Sequence, residues 1–380
     1  MTQSKEVRWV RLGEFIEQLD LRNRDNSLGC DDVRGISVDK VFTPTKANLD
    51  GVSLSSYKVV PPFSFAYVPD TSRRGDKIAL AYNDTEDSFL ISSIYTTFHI
   101  FNNSVLPAYL YIWFARPDFN RFARFNSWGS ARETLVWDDF TDIEIPVPYK
   151  DGEPDVERQK EVVDIWQGLR RLKEDNEALA TPLLELCQAK MDELKHSAPM
   201  VELGEYISIQ EETNSSNRNL PVMGLNRDKV FMPTAANLDG VKTHKYLVVK
   251  PNMFAFSGMQ TGRDVCIRIA FNTTEKEFLI SPAYTTFVVD HSELLPEYVY
   301  MWFQRSETDR FGWFLSDSSV RSNLNWPRFE SIKIPKPSIV VQRAIVDIYH
   351  CARRAKEIAE EASQQLKTIC PALMQHIIHS

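Results

Sequence analysis

The sequence has 380 residues, 43% of them hydrophobic and 25% charged, the composition of a folded chain with room for two ordinary cores. No apolar run is long enough to span a bilayer, and the N-terminal MTQSKEVRW lacks a signal-peptide pattern. Five cysteines without CxxC spacing exclude a disulfide framework or a zinc site and fit a reducing cytoplasm. The net charge of −8 disfavours a chain that grips nucleic acid by itself. Residues 138–157, however, hold eight acids (Asp138, Asp139, Asp142, Glu144, Asp151, Glu153, Asp155 and Glu157) against Lys150, leaving the remainder at −1, where local basic faces still fit.

In chain order, short β-rich runs at Tyr57–Ala66, Lys77–Tyr82 and Phe89–Ile100 precede a helical stretch near Ala108–Arg124 and a further β-rich run at Ile143–Val147. Pro, Asn, Asp and Ser cluster between them, which predicts an α+β domain. From Gln159 onward the pattern becomes helical: Val162, Ile165, Trp166, Leu169, Leu172, Leu179, Leu183, Leu186 and Leu194 recur at spacings built from threes and fours, as a coiled-coil seam does. Asn176 falls on this seam, where a polar residue either fixes register or is simply solvated.

The whole unit then repeats. Asp39-Lys40-Val41-Phe42 returns as Asp228-Lys229-Val230-Phe231, an offset of 189 that also carries Ala47–Val52 onto Ala236–Val241, Tyr95–Phe98 onto Tyr284–Phe287, and Ile145-Pro146-Val147-Pro148 onto Ile334-Pro335-Lys336-Pro337. VRLGEFI (10–16) and VELGEYI (201–207) pair at a slightly larger offset. After an acidic insertion in copy one, Gln159 aligns with Gln342, and a second seam runs through Ile345, Ile348, Ala352, Ala355, Ala359, Ala362, Leu366, Ile369 and Leu373. Its alanines permit a close helix neighbour. Pro182 and Pro371, late in the two helices, are expected to kink or restart them. Two tandem α+β domains (1–157 and 198–340), each followed by a long helix (158–197 and 341–380) that carries a coiled-coil seam, is the expected architecture.

Catalytic motifs are missing from this pattern. Val60-Pro61-Pro62-Phe63 lacks the hydrogen-bond acceptor that opens an amino-methyltransferase tetrapeptide, and copy two reads Val249-Lys250-Pro251-Asn252 at that place. Phe256–Gly262 fits neither a phosphate loop nor a dinucleotide fingerprint, no HExxH or GxSxG occurs, and His99 and His291 do not match between copies. A non-enzymatic chain with no cofactor of its own is expected.

The doubled order of motifs, with Ile-Pro-x-Pro, then Gln159 or Gln342, then a long helix, and with Leu106-Pro107-Ala108-Tyr109 matching Leu295-Pro296-Glu297-Tyr298, resembles the specificity subunits of Type I restriction–modification systems over nearly the whole chain. The residue before each glutamine is Arg158 or Val341, where that family commonly has Glu. The resemblance implies two target-recognition domains, each reading one half of a bipartite double-stranded DNA site, and two helices that pair as an antiparallel coiled coil and act as a ruler. It implies methyltransferase (modification) subunits that bind S-adenosylmethionine and restriction subunits that cut. Helices of roughly 25–35 residues span about 40–50 Å, comparable to half-site centres about 34–36 Å apart. A tandem scaffold that binds only proteins remains the alternative, and a specificity-plus-cleavage fusion would need a catalytic motif.

DNA contacts are expected from basic and polar loop residues at matching places. The loop Arg73-Arg74-Gly75-Asp76-Lys77 matches Gly262-Arg263-Asp264-Val265-Cys266, and Ser127–Arg132, with Ser130 and Arg132, matches Ser316–Arg321, with Ser319 and Arg321. Lys242-Thr243-His244-Lys245 stands where copy one has Ser53-Leu54-Ser55-Ser56. A lone arginine is as readily a solvated charge or a structural ion pair. The aromatic run Tyr109–Phe114, repeated as Tyr298–Phe303, has the spacing of a buried helix face.

Overall fold

The computed structural model describes residues 5–72, 75, 77–129, 132–317 and 319–379. They fall into two compact units, one of residues up to 175 together with those from 358, the other of residues 176–357. Among the described residues no helix is long and apolar enough to cross a membrane.

The first unit is built on a four-stranded antiparallel sheet in the order Ile16–Leu19, Thr96–Ile100, Phe65–Tyr67, Leu80–Tyr82. Lys5–Arg11 pairs along its length with Glu144–Lys150, so the Ile-Pro-Val-Pro segment is a strand. Two small ladders, Arg34–Ile36 with Phe42–Pro44 and Lys58–Val60 with Phe89–Ile91, complete the β structure with a short strand at Glu153–Pro154. The helices are α1 (Pro107–Ala115), α2 (Pro117–Phe125), α3 (Trp137–Thr141) and the long α4 (Val156–Ser197). Sequence periodicity suggested one helix over Ala108–Arg124; there are two, because Arg116 is held extended ahead of Pro117. The core is aromatic: Phe65 stacks on Phe98 at 4.9 Å and Tyr67 on Phe140 at 4.7 Å. Tyr109, Leu110, Ile112, Trp113 and Phe114 of α1 are buried among them.

The second unit repeats this plan. Its sheet runs Ile207–Ile209, Thr285–Val289, Phe254–Ser257, Arg268–Phe271, with Phe254 stacked on Phe287 at 4.9 Å. Its helices are α5 (Thr261–Asp264), α6 (Pro296–Phe303), α7 (Ser306–Leu315), α8 (Trp326–Glu330) and the long α9 (Ile339–His379).

The long helices are shared between the units. In the first, Val162, Val163 and Trp166 of α4 enter the same core as Cys370, Leu373, Met374 and Ile377 of α9, and Arg158 donates to the Ile377 carbonyl at 2.9 Å. In the second, Cys187 and Met191 of α4 meet Ile345 and Val346 of α9. The start of one helix thus lies against the end of the other, an antiparallel pair. The seam of α9 follows the predicted residues, with Ala352, Ala355, Ala359 and Ala362 buried. That of α4 does so in part: Val162 and Trp166 are buried and Leu169, Leu183 and Leu194 half-buried, but Ile165, Leu172, Leu179 and Leu186 are 42–51% exposed, and the buried line continues through Ala180, Cys187 and Met191, with Asn176 half-buried on it. Leucine marks both faces of α4, so apolarity alone does not separate the inward residues from the outward ones. Neither helix restarts at its proline; both continue through Pro182 and Pro371.

The repeated glutamines hold each domain to its helix. Gln159 accepts from Leu106 N–H at 2.9 Å and donates to Ser104 O at 2.8 Å. Gln342 accepts from Leu295 N–H at 2.9 Å and donates to the carbonyls of Glu293 and Pro337. Both are fully buried, and they satisfy backbone groups of the loop that leads into α1 or α6. The tyrosines that follow that loop reach the Ile-Pro-x-Pro strand: Tyr109 donates to Pro146 O at 2.6 Å and Tyr298 to Pro335 O at 3.1 Å.

Candidate nucleic-acid interface

In each unit the loop leaving the central strand is stitched to the loop that follows the second helix. In the first unit, Leu135 N–H donates to Pro69 O at 2.9 Å and Thr71 N–H to Glu133 O at 3.1 Å, while Trp128 and Thr134 exchange both backbone bonds. Gly129 makes this turn possible: its φ is +141°, and a Cβ there would lie 2.2 Å from Arg132 O. In the second unit, Leu324 N–H donates to Gly258 O and Gly262 N–H to Ser322 O, both at 2.9 Å. A Cβ on Gly258 would lie 1.8 Å from Leu324 O, so only glycine lets these loops approach.

This stitching joins two of the three segments marked as candidate DNA contacts. Arg263 on α5 is exposed and donates to Gln260 Oε1 at 2.7 Å; Asp264 lies 3.4 Å from it. Ser319 and Arg321 are exposed on the adjoining loop, where Ser319 donates through both N–H (3.1 Å) and Oγ (2.5 Å) to Asp317 Oδ1. The Ser319 hydroxyl and the Asn323 N–H hold the Asp317 carboxyl below the usual carboxylate range. In the first unit Lys77 and Arg132 are exposed, while Arg73, Arg74 and Ser130 lie outside the described residues. Lys242 and Lys245, also exposed, stand at a different feature, the 3-10 turn Thr243–Lys245, which leads through Tyr246 to the strand Leu247–Val249. The Tyr246 carbonyl accepts from Asn214 N–H at 2.8 Å.

A second pair of lysines organises the interior behind these loops. Lys40 and Lys229, inside the repeated Asp-Lys-Val-Phe, both adopt positive φ (63° and 62°) and are buried. Lys40 Nζ donates to Asn120 Oδ1 at 2.7 Å; Lys229 Nζ pairs with Asp309 at 2.8 Å and donates to the Phe303 carbonyl. Their own carbonyls accept from Tyr111 and Tyr300. Burial pushes the Lys40 ammonium down to about 8, and the charge of Lys77 acts in the same direction. The repeated tetrapeptide was visible in the sequence, but not that its lysine turns inward: lysine is rarely buried unless paired, and the partner lies 80 residues away. Arg227 is a further residue of this region, donating to Asp264 O at 3.0 Å.

The exposed loops thus offer hydrogen-bond donors, namely guanidinium, ammonium and hydroxyl groups, on a braced backbone. Among the described residues no group of three or more His, Cys, Asp or Glu side chains is placed to hold a metal ion.

No protein-family model matches this sequence, and no curated protein matches it. The fold defines a class: tandem mixed α/β units joined by an antiparallel pair of long helices. Among solved structures, the chain is similar to the Type-I restriction-modification system S subunit from M. genitalium, with TM-score 0.55 and 14% identity over 100% of this chain and 97% of that one. It also aligns with the HsdS subunit from Thermoanaerobacter tengcongensis (TM-score 0.38, 17% identity, 98% and 97% covered). A chain from a study of type I R-M complex assembly and conformational transition aligns at TM-score 0.40 and 16% identity, with 100% and 99% covered. The fold is that of a Type I restriction–modification S subunit.

Proposed function

We propose that this chain is the DNA-specificity subunit of a Type I restriction–modification complex, in which each unit reads one half of a bipartite duplex target. The observation that carries this reading is the full-length likeness to an S subunit. The braced loops, which present Arg132 and Lys77 in one copy and Arg263, Ser319 and Arg321 in the other, support it as places from which side chains reach phosphates and base edges. The helices set the gap between half-sites and dock the methyltransferase subunits. Ile165, Leu172, Leu179 and Leu186, seven residues apart and about half exposed on α4, suit such docking, because a heptad-spaced aliphatic line is what a neighbouring helix covers. S-adenosylmethionine binding then belongs to the modification subunits and cleavage to the restriction subunits.

With a net charge of −8, the chain alone is expected to bind DNA weakly, and the assembled complex tightly with a steep salt dependence. The test is co-purification with the modification subunits, then methylation mapping and salt-titrated binding. Arg263→Ala should relax or weaken one half-site by about five- to 150-fold and leave the other unchanged, as expected for one lost bidentate base contact. Equal loss at both halves would assign Arg263 to phosphate or to structure. A complex that assembles yet shows no sequence preference would favour the protein-binding scaffold.

A further inference from the structure

Two phenylalanines at the ends of α2 and α7 are left in solvent where burial would ordinarily take them. Phe125 is 76% exposed, and Phe314, at the same place in the second copy, 72%; one turn earlier on the same sides, Phe122 and Phe311 are 45% and 44% exposed. An exposed phenylalanine forfeits about 1.5–3 kcal/mol of burial, so a face facing only water has no reason to keep one. Yet these positions are retained while their neighbours have diverged. Asn120, Ala123, Arg124 and Asn126 have become Asp309, Gly312, Trp313 and Leu315, whereas Arg121, Phe122 and Phe125 return as Arg310, Phe311 and Phe314. What persists between the copies is an exposed arginine beside two exposed rings.

The surroundings narrow the occupant. Each ring opens directly into a braced loop, at Asn126–Thr134 or Ser316–Leu324. Residues 116–134 carry four arginines against two acids; Asp118 and Glu133 pair with Arg116 and Arg124, so Arg121 and Arg132 carry the excess, whereas the matching residues 305–323 are balanced at three arginines and three acids. In the second copy Phe314 and Arg328 border an open recess of about 510 Å³ with Leu315, Ser316 and Asp317. A purely apolar partner surface would strand the exposed Arg121 and Arg132. A DNA duplex satisfies both kinds of group, because phosphates take the arginines and a base step takes the ring.

We propose that Phe125 and Phe314 are wedge residues, each inserting between two stacked base pairs in the half-site met by its own unit and bending the duplex there. The proposal rests on the DNA-reading function above and adds to it a way of reading sequence without hydrogen bonds. Wedging apolar side chains unstack a step at a cost of a few kcal/mol, which is smallest at flexible pyrimidine–purine steps. Each half-site should therefore favour such a step at a position where no base edge is contacted.

The experiment uses the full chain assembled with its modification subunits, and the mapped target carrying 2-aminopurine, walked through both half-sites. With the natural chain the fluorescence should rise at one step in each half. Phe125→Ala should abolish one rise and Phe314→Ala the other, each weakening binding about five- to 100-fold. Phe125→Leu should retain much of the signal. Thermal melting of each variant should match the parent, since the rings are exposed. Alanine variants that melt normally and bind DNA with both rises intact would overturn the wedge and leave the DNA-reading function standing. Variants that melt normally but fail to assemble would assign the rings to a protein interface, and overturn the proposal. A parent complex with no preference for its mapped target would overturn the DNA-reading function itself.

Discussion

Lys40 and Lys229 occupy one place in two copies of a domain, but the second faces Asp309 and the first Asn120. Copy one therefore buries an ammonium with only an amide oxygen as acceptor, and its pKa falls to about 8, against about 10.4 in an unfolded chain. Between these values the unfolded state binds more protons than the folded one, so the stability contributed at this site rises as pH climbs from about 8 toward 10 and is lowest below 8. Asn120→Asp places in copy one the acid that copy two already has. It should raise the Lys40 pKa and stabilise the first unit by about 1–3 kcal/mol at pH 7, with the gain shrinking near pH 10. Urea unfolding at both pH values checks this; an equal gain at each would mean that the charge of Lys40 is not the cause.

Among the elements, the Ile-Pro-x-Pro strand and the glutamine after it form one device. The glutamine ties the loop before α1 or α6 to the long helix, and the strand takes the tyrosine hydroxyl that follows. Gln342→Ala would leave the Leu295 N–H and two carbonyls without their partner and should destabilise the second unit by about 2–4 kcal/mol. Gln342→Glu keeps the acceptor and should recover only part of the loss. Chemical denaturation of the two variants distinguishes them, and equal stability would show that the acceptor contributes nothing. This motif was legible in the sequence because duplication printed it twice. The seam of α4 was legible only in part: Val162 and Trp166 are buried, but Leu172 and Leu179 satisfy the same apolar pattern while facing outward. The joining of the Gly258–Asp264 and Ser316–Leu324 loops was not legible, since it depends on backbone bonds between segments about 60 residues apart and leaves only Gly258 and Gly262 as traces. Lys242 and Lys245 matched the chemistry sought but stand on another turn, because composition carries no information about which loops meet.

At the scale of the whole molecule, α4 and α9 are 42 and 41 residues long, about 60 Å each. If they measure the gap between half-sites, seven residues inserted after Leu172 and seven after Ala362 should lengthen it by about 10 Å, or roughly three base pairs, with both half-sites unchanged in methylation mapping. Altered half-site bases with an unaltered gap would end the ruler reading. The shared helices also have a consequence for how the chain comes into being. The core of the first unit contains Cys370, Leu373, Met374 and Ile377, and that of the second contains Ile345 and Val346. During synthesis, neither unit has its complete interior until the last helix is made, and the residues that close the second emerge before those that close the first. The domain translated first is completed last. Its nascent form must wait, with the flank of Trp166 uncovered, while the roughly 200 residues between Trp166 and Cys370 are added.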